Sequence, residues 1–173
     1  MRELADSTRI EQFMRELGQA VSVDGRIYLT GGATAVLYGW RDTTIDVDIK
    51  LIPDRDEILR EIPRLKEALN LNVELAAPSD FIPLPAGWED RSPLIREEGK
   101  LSFHHFDPVA QALSKVERGH DQDIRDVREM IAAGLVNPAE ALIQFNAIEP
   151  ELYRFPSIDP ASFRKAVEEL FSA

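Results

Sequence analysis

Two aspartates one residue apart, Asp46 and Asp48 in "TIDVDIKLI", are the side chains in this sequence best suited to chemistry. In a β-strand, residues two apart point to the same side with Cα atoms about 6.5–7 Å apart, so their carboxylates can converge on one hard cation. An isolated pair of this kind ordinarily lines the solvated face of an amphipathic strand. Two features set this pair apart. Asp is depleted from strands. The preceding "LTGGATAVLYGW" also reads as a turn at Gly31 and Gly32 feeding a short helix, whose free backbone N–H groups suit a phosphate. The glycines let the backbone approach that phosphate with no Cβ in the way. An anion cradle beside a divalent-cation clamp describes a nucleoside triphosphate site.

The elements that must hold these residues can be read from periodicity. Thr8 with Glu11 forms a capping box, and Ile10, Phe13, Met14, Leu17 and Val21 recur at helical spacing, which predicts a helix to about Ala20. A short strand over 26–29 leads to the glycine turn. The aspartate strand then alternates, with Ile45, Val47, Ile49 and Leu51 on one face and Asp46, Asp48 and Lys50 on the other, until Pro53 stops it. Asp54 with Glu57 can cap the next helix, which carries Pro63, and "LNVELA" follows as a strand. Residues 78–93 hold four prolines with Gly87 and Trp88 and read as loop; "KLSFHHF" reads as a strand. Four helices finish the chain, starting at Asp107-Pro108, after Gly119, at Asn137-Pro138 and at Asp159-Pro160, with Gly119 and Gly134 as end caps. The fold class expected is α+β: a small mixed sheet with flanking helices over 1–106, followed by a helical part over 107–173 packed on it as one unit.

Composition narrows the function. The 173 residues are 44% hydrophobic and carry a net charge of −11, which argues against coating nucleic acid through a broad basic face, since that mode neutralises many phosphates. Any nucleic-acid contact must be local, and Arg91, Arg96, Lys100 and Arg118 are candidates for it. There is no cysteine, so neither disulfides nor thiolate metal sites enter. The first residues lack the apolar block of a signal peptide and no apolar run is long enough for a bilayer, so the expectation is a soluble, cytoplasmic protein without a membrane partner. His104 and His105 are adjacent in a strand and face opposite ways, which excludes a joint metal site.

The stretch "GGATAVLYGWRDTTIDVDI" resembles the signature of the DNA polymerase beta-like nucleotidyltransferase superfamily, a Gly-Gly or Gly-Ser turn, a short helix, then D-x-D on the next strand. The R-x-T-x-D-x-D form, here Arg41, Thr43 or Thr44, Asp46 and Asp48, is similar to the AbiEii-like branch, which includes toxins of toxin–antitoxin and phage-abortive systems. The downstream "FHHFDPVAQALSKVERGHDQDIRDVREMI" is similar to that branch as well. The resemblance implies a minimal nucleotidyltransferase fold and Mg²⁺ or Mn²⁺ held by Asp46, Asp48 and a third carboxylate. Alternation within "NVELA" makes that third acid Glu74, with Asp80 as the rival. It further implies Lys115 and Asp126 as catalytic groups, with Asp123, Gly31, Gly32, Thr30, Thr34, Arg41 and Thr44 contacting the nucleotide or its phosphates. The superfamily often has Ser where this chain has Gly32, and Thr30 or Thr34 are the hydroxyls expected to take over. The implied activity is transfer of a nucleotidyl group from an NTP to an RNA (tRNA) or protein acceptor, under control of a cognate antitoxin or toxin partner. The alternative is a catalytically weak nucleotide-binding or antitoxin-like module on the same fold.

Overall fold

The computed structural model describes residues 2–172, and among them the chain alternates helix and strand before turning wholly helical. The order is α1 (Ser7–Ala20), β1 (Gly25–Thr30), α2 (Gly32–Tyr38), β2 (Asp46–Ile52), α3 (Asp56–Ala68), β3 (Asn72–Leu75), β4 (Leu94–Glu98), β5 (Leu101–His105), α4 (Pro108–Arg118), α5 (Asp121–Ala132), α6 (Pro138–Ile148) and α7 (Pro160–Phe171). Short 3₁₀ turns lie at Pro78–Asp80 and Glu149–Arg154. This is the α+β architecture the sequence predicts. Two compact units emerge, one comprising the chain up to Ala77 with Ser92–His105, the other Pro78–Arg91 and the chain from Phe106 onward.

The first unit holds a mixed sheet in the order β3-β2-β1-β5-β4. β1 runs antiparallel to β2 and parallel to β5, β2 runs parallel to β3, and β4 and β5 form an antiparallel hairpin. Alternation sends Ile27, Leu29, Val47, Ile49, Val73 and Phe103 to one face, where they join Ile10, Phe13, Met14 and Leu17 of α1 and Ile58, Ile62 and Leu65 of α3 in one buried cluster. Each such side chain withdrawn from water contributes about 1.5–3 kcal/mol, which fixes which face of each strand looks inward and therefore where its polar residues must stand.

Three local expectations need correction, and one strand, β4, was not foreseen. The cap of α1 is Asp6, whose carboxylate accepts from Arg9 N at 2.9 Å, two residues ahead of Thr8. α3 begins at Asp56 without a side-chain cap, and Glu57 instead accepts from the backbone N–H of Ser22 at 2.6 Å. Ile45 is 69% exposed, because β2 starts at Asp46 and the segment before it is set by an antiparallel bridge between Ala5 and Thr44. β4 carries no alternation to find: it is an edge strand with Arg96, Glu97 and Glu98 in sequence and no fully buried residue.

In the second unit, loop 78–91 is anchored to the start of α4. Asp107 caps that helix by accepting from Val109 N at 3.0 Å and pairs with Arg91 at 2.9 Å, while Trp88 stacks on Phe106 at 4.5 Å. Burial pushes the Asp107 carboxyl up, and the hydrogen bond and charge of Arg91 pull it back. Farther on, Phe163, Val167 and Phe171 of α7 are buried, with Phe163 edge-on to Phe145 at 4.9 Å, so the apolar stripe of α7 is spent inside the fold. Among the described residues no helix is long and apolar enough to cross a membrane.

Gly18 of α1 is the point of closest approach to β4: a Cβ there would lie 2.4 Å from Glu98 Cβ and 2.6 Å from its carbonyl oxygen. Gly18→Ala gains about 1 kcal/mol of helix propensity and loses about 1–3 kcal/mol to overpacking against backbone. The expected outcome is a lower melting temperature, read by thermal denaturation, where a rise would show that α1 and the hairpin separate easily.

Candidate functional site

The strand register assembles the acids. Asp48 of β2 is the Cα partner of Glu74 on β3 and of Thr30 on β1, and Asp46 is the partner of Asn72. With the opposite face committed to the core, Asp46, Asp48 and Glu74 share the polar face, and each offers a carboxylate oxygen within 4.8 Å of the others. Three hard oxygen donors at that spacing, two half-buried and one exposed, suit Mg²⁺ or Mn²⁺. The structure thus brings Glu74 to the aspartate pair, whereas Asp80 lies in the 3₁₀ turn Pro78–Asp80.

Asn72 is a site residue the sequence analysis missed. Its amide nitrogen donates to Asp46 Oδ1 and, at 3.1 Å, to Glu74 Oε1, so one neutral donor bridges two carboxylates that repel each other. The signal was present, since alternation in "NVEL" places Asn72 on the same side as Glu74.

The glycine turn lies against these acids. Gly31 has φ +65, and a Cβ on it would sit 3.1 Å from Asp48 Oδ2, so a carboxylate and the bare backbone share that space. Gly32 is fixed by a different neighbour: its Cβ would fall 2.0 Å from Thr44 Oγ1 and 2.6 Å from Thr44 Cβ. The volume that a side chain at 32 needs is already filled by Thr44, whose hydroxyl donates to the Asp46 carbonyl at 3.0 Å. The hydroxyl beside the turn is therefore that of Thr44. Thr30 is buried next to Asp48 in register, while Thr34 is drawn into the interior, its hydroxyl 3.4 Å from Leu29 O and 3.1 Å from His105 Nδ1. α2 is only seven residues long and ends at Gly39, with φ +94. Arg41 follows it half-buried, its N–H bonded to Ala35 O at 3.3 Å.

Within the second unit, Lys115, Asp123 and Asp126 form a buried network joining α4 to α5. Lys115 Nζ donates to Asp126 Oδ2 at 2.8 Å and lies 3.9 Å from Asp123 Oδ1. Arg118 pairs with Asp123 at 2.5 Å, and Gln122 donates to Asp126 at 3.0 Å. Such a cluster holds its charge out of water only while every partner is present. The arginines expected to meet nucleic acid are engaged by acids: Arg91 with Asp107, Arg96 with Glu11 and Glu98, Arg118 with Asp123.

The adjacent histidines divide as their strand requires. His104 stacks on Tyr28 at 5.2 Å and places Nε2 3.0 Å from Ser102 Oγ. His105 is buried against Thr34 and Tyr38, and burial pushes its pKa down to about 4.

A family model described as nucleotidyltransferase of unknown function (DUF6036) matches residues 7–149, which spans the sheet, the glycine turn and all three clustered acids. The chain belongs to this family. Comparison with curated proteins and comparison with solved structures each give no significant match. The family match establishes a nucleotidyltransferase-like domain, and the acid cluster gives that domain a group of ligands able to hold a divalent cation.

Gly32→Ala drives a methyl into Thr44, and the expected cost is about 1–3 kcal/mol. A second change, Thr44→Ala, removes the nearest colliding atom, Oγ1, while Cβ at 2.6 Å stays, and so recovers part of that loss; chemical denaturation of the two variants checks it. For His105 the folded pKa is depressed, so the unfolded chain takes up the proton first as pH falls. Stability then declines from about pH 6.5 to pH 4, by about 3 kcal/mol in all, one pKa unit being worth 1.36 kcal/mol. The slope is read as the difference between wild type and His105→Gln in denaturant titrations at pH 7 and pH 5, and equal losses in both proteins would contradict it.

Proposed function

We propose that the chain is a metal-dependent nucleotidyltransferase that moves a nucleotidyl group from an NTP to an RNA or protein hydroxyl. The single observation that carries this reading is the convergence of Asp46, Asp48 and Glu74 from adjoining strands. These three residues would hold Mg²⁺ or Mn²⁺. The bound cation supplies charge neutralisation along the triphosphate and lowers the pKa of the attacking hydroxyl. In the overall change, the acceptor hydroxyl gives up its proton to water, its oxygen bonds to the α-phosphorus, the bond from that phosphorus to the β-phosphate oxygen breaks, and pyrophosphate leaves.

The chain's own groups orient and hold. Asn72 sets the rotamers of Asp46 and Glu74 by donating to both. Gly31 keeps the space in front of Asp48 free of a side chain. Thr30, Thr44 and Arg41 are the proposed polar contacts for phosphate oxygens, the last as a planar donor matched to a phosphate. The spacing of Arg41, Thr44, Asp46 and Asp48 supports placement in the AbiEii-like branch, and with it a toxin or defence role.

Incubation with each α-labelled NTP, Mg²⁺ or Mn²⁺, total tRNA and cell lysate tests the reading. Label on RNA or protein is expected with the wild type and is lost by at least about 100-fold in Asp46→Asn with Asp48→Asn, because two donors of the cation are removed. Asn72→Ala leaves all three acids in place and weakens Mn²⁺ affinity by about 10–100-fold, the usual scale for groups that orient metal ligands, as read by metal titration. No transfer together with metal-dependent NTP binding would favour the binding-module alternative. Lys115→Met measured for melting temperature beside transfer separates the helix-joining role of the buried cluster from a catalytic one: a loss of transfer at unchanged melting temperature supports the latter.

A further inference from the structure

At the end of the sheet remote from the acids, a pocket of about 350 Å³ opens where β1 begins, β2 ends and β5 begins. Its charged lining is Arg26, Arg55 and Lys100 against one carboxylate, Asp24. In a chain with a net charge of −11, three cations to one acid in a single concavity reverse the local sign.

The cations are placed by separate elements. Arg26 and Ser102 are Cα partners across β1 and β5, so their side chains rise together on one face. Arg55, just before α3, is pinned by the Asp24 carboxylate at 2.8 Å and the Asp24 carbonyl at 3.2 Å, which fixes its guanidinium at the rim. Lys100 closes the turn into β5 and makes no ion pair among the described residues. Ser102 adds a hydroxyl held 3.0 Å from His104 Nε2. The charge of Arg26 reaches far enough to help hold the His104 pKa below its ordinary value, after burial as the main cause and against a hydrogen bond to Ser92 O.

This pocket is separate from the acid cluster. Arg26 stands four residues before Thr30, the partner of Asp48, on β1, a span of about 13 Å. That exceeds the screening length of about 8 Å at physiological salt, so the acids weaken its field only in part. Planar guanidinium donors, an ammonium and a hydroxyl together offer more donors than one carboxylate accepts, and a phosphate with its three free oxygens suits them. We propose that the pocket lined by Arg26, Arg55, Lys100 and Ser102 is a second anion site that takes a phosphate group, either free as polyphosphate or as the backbone phosphate of a polynucleotide.

The test uses the full chain in EDTA, so that it does not depend on the metal or on nucleotidyl transfer. Calorimetric titration is run with inorganic pyrophosphate in one arm and with a ten-residue oligoribonucleotide lacking terminal phosphates in the other. Binding in the first arm assigns a free polyphosphate, and binding in the second a backbone phosphate; either supports the site. Arg26→Gln and Lys100→Gln, each checked for unchanged melting temperature, are expected to weaken that binding by at least about 10-fold and to flatten its salt dependence. Asp46→Asn with Asp48→Asn is expected to leave it unchanged. The proposal is overturned if the wild type binds neither probe, if binding survives the Arg26→Gln, Lys100→Gln double variant, or if it is lost with the aspartates instead.

Discussion

Mutual repulsion of three carboxylates is the constraint around which the first unit is built. Asp46, Asp48 and Glu74 gain nothing by proximity to one another, and about 1 kcal/mol per pair at 4 Å in water grows several-fold near a protein surface. They are held together because their backbones are held: β2 and β3 pair in parallel, and the alternate residues of both strands are committed to a buried apolar face. A one-residue slip of β3 would send Glu74 inward and Val73 outward, so the hydrophobic cluster enforces the acid cluster. Asn72 relieves part of the strain locally by giving two of the acids a shared donor.

The glycine turn belongs to the same compromise. Gly31 leaves room at Asp48, and Gly32 leaves room for Thr44, so two adjacent glycines answer to two different side chains of the next strand and its approach. The loop bearing Thr44 is tied in turn to the N-terminal segment by the Ala5 bridge, and Arg9 hooks the start of α1 onto the carbonyls of Leu69 and Asn70 just before β3. The strands that carry the acids are thus tethered from the N-terminal side as well as through the sheet.

Much of this was legible in the sequence, because periodicity reports burial. The alternation of "DVDIKLI" and of "NVEL" gave the shared face of Asp46, Asp48 and Glu74, and the Gly, Pro, Asp and Asn punctuation gave the helix ends from Asp107 onward. What escaped was set by partners distant in sequence. β4 has no apolar face of its own and is a strand only because β5 pairs with it. Thr44 was in view as a phosphate contact, but its fit to Gly32 is a packing relation that no local pattern encodes. The cationic pocket draws on residues 24–26, 52–55 and 100–102; of the basic residues singled out in the sequence Lys100 lines it, while Arg91, Arg96 and Arg118 are engaged by carboxylates.

The sheet order also has a bearing on synthesis. β1, β2 and β3 are neighbours through connections inside residues 25–75, whereas β5 reaches β1 only after residue 101 has been made. As the chain leaves the ribosome, everything needed to draw the three acids together is present roughly twenty-five residues before the hairpin that completes the sheet, a lag of a few seconds at ordinary elongation rates. Through that interval the β5-facing edge of β1 has no partner strand, and the nascent chain carries its negative site before its positive one.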